Sequence, residues 1–174
     1  MNRIASISLG PLSLDCNFKT KFLGHDFEVV RIGTDNDFKA AKKLVAEWRD
    51  KVDALGLGLV HDHYWVGTHY FHQRDTAKLE KLAGDTLVST GARLREIVQE
   101  WSLRWAQQEL SGYFNNAKVL FLSGTTNYRL ASVMAEYTQN LSFADPVLQF
   151  GAPGLLHSLH ALEMYAAGSD PVLR

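Results

Sequence analysis

The chain is 174 residues long, 46% hydrophobic, 11% aromatic and 21% charged, which suits a folded protein with a substantial core and excludes intrinsic disorder. Eighteen Lys and Arg against nineteen Asp and Glu leave a net charge of −1 with no run of like charges, so neither a nucleic-acid surface nor an acidic tail is indicated. The single cysteine, Cys16, excludes an intramolecular disulfide and any CxxC metal or redox site, and fits a reducing cytoplasm.

Ala5, Ile7 and Leu9 alternate with Ser6 and Ser8 up to Gly10-Pro11, which predicts a strand and a turn and no signal peptide or membrane anchor. Phe18–Leu23 and Phe27–Ile32 flank Gly24-His25-Asp26 and read as a hairpin or as a loop feeding one strand. Thr34-Asp35-Asn36-Asp37 supplies N-cap types, and Phe38, Ala41, Val45 and Trp48 then recur at helical spacing to about Lys51. Val52–Val60 is apolar apart from Asp53 and reads as the central strand. The stretch from His61 to Gln73 is rich in His and aromatic residues without a clear period.

A short helix is predicted from Arg74-Asp75-Thr76 to Gly84, and a strand over Thr86–Ser89. Leu94, Ile97, Val98, Trp101 and Trp105 form the longest helical stripe, ending at Ser111-Gly112. Ala117–Leu122 reads as a strand, Ser123–Asn127 as a turn, and Leu130, Ala131, Met134 and Tyr137 as a helix. A short strand over Leu141–Ala144 follows, then a helix with Leu155, Leu159 and Leu162 inward and Gly168 beyond its end. Alternating strands and helices predict an α/β fold. The expected form is a mostly parallel sheet with helices on both faces, a doubly wound, Rossmann-like three-layer architecture in one domain over residues 1–174.

Ligands of such sheets bind outside the carboxyl ends of the strands. Two loops there carry the candidate ligand-binding residues: His61 and His63 after the central strand, and Ser123, Thr125 and Thr126 in the later strand-to-helix turn. Their hydroxyls, amides and imidazoles suit a small polyhydroxylated or carboxylated molecule, and the two loops are expected to face one crevice. Four of the seven histidines, His61, His63, His69 and His72, fall within twelve residues, a density at which imidazoles can hold zinc, nickel or iron. No HExxH or Cys/Glu partner completes that set, so no metal ligand is assigned. Gly56-Leu57-Gly58 lacks the third glycine of a dinucleotide fingerprint, Ser123 has no GxSxG frame, and no GxxxxGK[ST] cradle is present. Asp53 and Asp145 read as polar strand ends, and His157, His160 and Glu163 as one face of the last helix.

Four stretches in order carry a family resemblance: Arg31-Ile32-Gly33-Thr34, Val52–Gly58, Arg74–Leu79 and Phe143–Pro153. Together they resemble the amino-terminal part of quinate/shikimate dehydrogenase-like proteins. The resemblance implies an oxidoreductase whose NAD(P) sits in a downstream Rossmann domain, with no cofactor held by this chain. The NVTxPxK stretch that carries the catalytic lysine of the shikimate enzymes is missing, so no catalytic role passes to Lys78, Lys81 or Asp85. Asp170–Arg174 end the chain just past a helix, where an interdomain boundary is expected.

The leading expectation is therefore the amino-terminal, substrate-side domain of a cytoplasmic dehydrogenase-like protein, incomplete as an enzyme on its own and able to form a homodimer. One alternative is a stand-alone metal-dependent hydrolase using His61, His63, His69 and His72. Another is a non-catalytic binding or scaffold domain presenting Tyr64, Trp65, Tyr70 and Phe71.

Overall fold

The computed structural model describes residues 1–169, so the expected boundary at Asp170–Arg174 lies outside the described residues. In chain order the first elements are β1 (Asn2–Ser8), β2 (Cys16–Phe22), β3 (His25–Gly33), α1 (Phe38–Trp48), β4 (Ala54–Gly58), β5 (Tyr64–Val66), β6 (His69–Phe71), α2 (Arg74–Ala83) and β7 (Leu87–Ser89). They are followed by α3 (Ala92–Glu109), β8 (Val119–Phe121), α4 (Tyr128–Met134), β9 (Leu141–Phe143), α5 (Asp145–Phe150) and α6 (Leu159–Gly168). These form two compact units: Met1–Asp62 with Gln73–Ala92, and His63–His72 with residues 93–169. The fold is mixed α/β.

The first unit is built on a five-stranded sheet of order β2-β3-β1-β4-β7, parallel throughout except for β2. β2 and β3 form a hairpin whose two-residue turn, Leu23-Gly24, has φ of 48° and 82°, as the twist of paired strands requires. The hairpin reading of this stretch holds. β1, paired on both sides, is the central strand; β4 lies next to it. Asp37 starts α1 by accepting from the N–H groups of Lys39 at 2.8 Å and Ala40 at 3.1 Å, and the Ala40 and Lys39 bonds hold its carboxyl below the usual range.

Ala5 and Ile7 of β1 and Leu55 and Leu57 of β4 share one face, and Ala41, Val45, Leu79 and Ala83 close a core over it. Both helices therefore lie on the same side. The reason is topological: the crossovers β3–α1–β4 and β4–α2–β7 travel in the same direction across the sheet, and crossovers of one hand then fall on one face. The opposite face is lined along β1 and β4 by Ser6, Ser8, Gly56 and Gly58. A Cβ on Gly58 would stand 2.8 Å from Ser8 Oγ, so glycine is what lets these strands carry their serines there.

The second unit contains an antiparallel ribbon, β5–β6, and a parallel pair, β8–β9. The ribbon occupies a stretch whose sequence shows no period. Val66 and Phe71 of the ribbon join Leu103, Ala131, Val133, Met134, Leu141, Phe143, Leu162 and Ala166 in one buried cluster. α3 contributes only Leu103 to the buried residues; Arg104 holds the helix in place through Glu136 at 2.8 Å and Tyr137 at 3.1 Å. The last helix begins at Leu159, capped by Ser158, rather than before Leu155, which is 38% exposed. Leu156 instead bridges to Phe143. Among the described residues no helix is long and apolar enough to cross a membrane.

Candidate functional site

The carboxyl edge of the first sheet is tied together by its own loops. Ser8 Oγ accepts from the N–H of Gly10 at 3.0 Å, the Gly10 carbonyl accepts from Thr34 and Asp35, and Thr34 Oγ1 donates to the Ser8 carbonyl at 3.2 Å. Asp15 accepts from the N–H of Gly33 at 2.5 Å and from Arg31 at 3.1 Å, which folds the segment after β1 over the end of β3. Gly33 is needed there, because a Cβ would lie 2.5 Å from the Pro11 carbonyl oxygen.

On the β4 side the Gly58 carbonyl accepts from the N–H of Leu9 at 2.9 Å. Leu59, directly after Gly58, has φ of 54° and is 75% exposed, a backbone state that a leucine holds only under constraint. His61 follows, exposed, its carbonyl accepting from the Thr76 hydroxyl at 2.6 Å. The connection leaving β1 leads towards β3 and the one leaving β4 leads towards β7, so the carboxyl ends of β1 and β4 flank a topological switch point.

The five ligand-binding candidates do not come from one sheet. His61 follows β4 in the five-stranded sheet, whereas Ser123, Thr125 and Thr126 follow β8 in the two-stranded pair, and His63 directly precedes the ribbon of the second unit. Within that unit the turn is satisfied internally. Thr125 is fully buried, and its N–H and hydroxyl both donate to Asp145 Oδ1, at 2.9 and 2.7 Å, while the N–H of Gly124 donates to Oδ2 at 2.7 Å. Ser123 and Thr126 share a hydroxyl hydrogen bond of 2.7 Å.

His63 stacks on His72 with ring centroids 4.2 Å apart and planes within 7°. Trp65 and Tyr70, a cross-strand pair at 4.9 Å, continue the same row of rings, 59% and 41% exposed, while Phe71 turns into the core and Tyr64 packs against it. Stacking aligns the two imidazoles face to face instead of converging their nitrogens. Among the described residues no group of three or more His, Cys, Asp or Glu side chains is placed to hold a metal ion.

Two polar features escape the sequence reading. A groove of about 410 Å³ in the second unit is lined by Lys118, Gln139, Asn140, Ser142 and His157 among others. Within it Ser142 Oγ lies 3.1 Å from His157 Nδ1, so the groove offers a hydroxyl, an imidazole, two amides and an ammonium for hydrogen bonding. No local frame marks Ser142, and its partner lies fifteen residues along the chain. The second feature is the Tyr128 hydroxyl, which donates to the Glu163 carboxylate. Burial and then that carboxylate push the Tyr128 phenol upward.

No curated protein matches closely enough to serve as a named relative. The second half of the chain, residues 93–174, matches a family model described as Domain of unknown function (DUF8754). Residues 3–90, just over half of the 174, match the model described as Domain of unknown function (DUF8753), and the chain belongs to that family.

Proposed function

We propose that the chain is the substrate-side, amino-terminal portion of a quinate/shikimate dehydrogenase-like oxidoreductase. In this reading the first unit takes a small hydroxylated or carboxylated molecule at the carboxyl edge of its sheet, and a downstream Rossmann domain brings the NAD(P). The observation that carries the reading is the switch point between β1 and β4, bordered by the constrained Leu59 and the exposed His61. Gly56 and Gly58 lie inside β4, and the chain makes a two-stranded ribbon before its next helix, an arrangement suited to a substrate side better than to a pyrophosphate cradle. The reading carries with it a Rossmann-like three-layer organisation, in which the face bearing Ser6 and Gly56 receives the further layer. It also carries a cytoplasmic setting, where the exposed Cys16 stays a thiol.

Chemical-shift mapping with quinate, shikimate and lactate tests the ligand. Shifts at Gly10, Leu59 and His61, with millimolar affinity, are expected. Shifts confined to the opposite edge, at Arg49, Gly84 and Thr86, overturn the placement. The dehydrogenase part is tested separately by the gene: a reading frame running on from Arg174 into a strand and a GxGxxG turn supports it, and a stop codon there overturns it.

A further inference from the structure

The 18-residue α3 turns its most apolar face outward. Leu94 is 66% exposed, Val98 52%, Trp101 72% and Trp105 66%. At about 100° per residue these four lie within an arc of roughly 60°, and Leu103, the buried residue of the helix, lies on the opposite side. Their 4-3-4 spacing is that of a helix-pairing seam, and together they present roughly 500–600 Å² of apolar surface, at the upper end of what a monomer leaves in its largest patch.

We propose that α3 is a dimerisation helix that pairs antiparallel with α3 of a second copy of this chain. Size decides the direction. A two-fold pairing centred between Gln99 and Glu100 sets Leu94 against the partner subunit's Trp105 and Val98 against the partner subunit's Trp101, so each layer joins a smaller residue to an indole. A parallel pairing instead opposes tryptophan to tryptophan in two successive layers, which overfills a two-helix seam. Area decides the occupant. A standard interface takes about 800 Å² from each partner, and in a two-fold pairing the stripe supplies roughly 500–600 Å² of that on each copy, because both contribute the same face. This inference is independent of the ligand and of the dehydrogenase reading.

Sedimentation velocity on the full chain between about 1 and 100 μM is the test. A dimer of twice 19.5 kDa is expected, converted to monomer in W101S/W105S and retained in Trp65→Ser, whose indole lies on the ribbon. A wild type that stays monomeric throughout overturns the proposal. A dimer that survives W101S/W105S overturns it equally. Orientation, and any loss of helicity in the double variant, are handled by spin-labelling Gln108→Cys in a Cys16→Ser background. Antiparallel helices place the two labels about 25–30 Å apart along the 1.5 Å rise. A separation under about 20 Å, or no dipolar coupling at all, overturns the antiparallel dimer.

Discussion

Asp145 accepts three hydrogen bonds from Gly124 and Thr125 at a position only 1% exposed, and so joins the turn after β8 to the start of α5. Removing the acceptor strands two N–H groups and a hydroxyl out of reach of water. Asp145→Ala is therefore expected to cost on the order of 3 kcal/mol in urea unfolding, and Asp145→Asn, which keeps one carbonyl oxygen, distinctly less. Equal losses would show that charge, and not acceptor count, is what matters there. A turn after the apolar strand was legible from Ser123–Asn127, but the destination of the Thr125 hydroxyl was not, because its acceptor is twenty residues away in sequence. Leu59 supplies a second residue-scale expectation. At φ of 54° a glycine relieves backbone strain while loosening the unfolded chain, so Leu59→Gly should leave stability within about 1 kcal/mol of the parent. Leu57→Gly, two residues earlier at 2% exposure, should lose at least about 3 kcal/mol in the same measurement.

The helices show what periodicity can and cannot say. The stripe of Leu94, Ile97, Val98, Trp101 and Trp105 correctly marks α3, yet an apolar stripe is inward only when its own chain covers it, and here all but the half-buried Ile97 face out. The ribbon β5–β6 was hidden for the opposite reason: aromatic side chains stand on both of its faces, with Tyr64 and Phe71 on one and Trp65 and Tyr70 on the other, so alternation is erased. Its turn holds Gly67 at φ of 57°, where a Cβ would lie 2.9 Å from Cδ of Glu163, the carboxylate engaged by Tyr128. Gly67→Ala should thus lower stability by about 1–2 kcal/mol from backbone strain alone. In a Tyr128→Phe background Glu163 is freer to move, and the loss should shrink in a double-mutant cycle; strictly additive losses would mean that the carboxylate does not crowd the turn.

At the level of the whole molecule, the two family matches meet between residues 90 and 93, but the ribbon inside the first match supplies Val66 and Phe71 to the core of the second unit. A fragment of residues 93–174 lacks both side chains and is expected to unfold without a sigmoidal transition, while residues 63–174 should melt cooperatively. Equal melting of the two fragments would remove the ribbon from the second unit's stability. The mostly parallel α/β character was readable from strand and helix alternation. The division of the strands among three sheets was not, since pairing partners are set by long-range packing that no local pattern encodes. The path of the chain also imposes an order of events on synthesis. The ribbon leaves the ribosome before any of the second unit's other core residues, and about 90 residues separate His72 from Leu162. At ~5–20 residues per second, Val66 and Phe71 wait about 5–20 s with no core to enter. During that interval they are exposed to chaperone capture, and a pause in translation between the emergence of the ribbon and the synthesis of Leu162 would lengthen it.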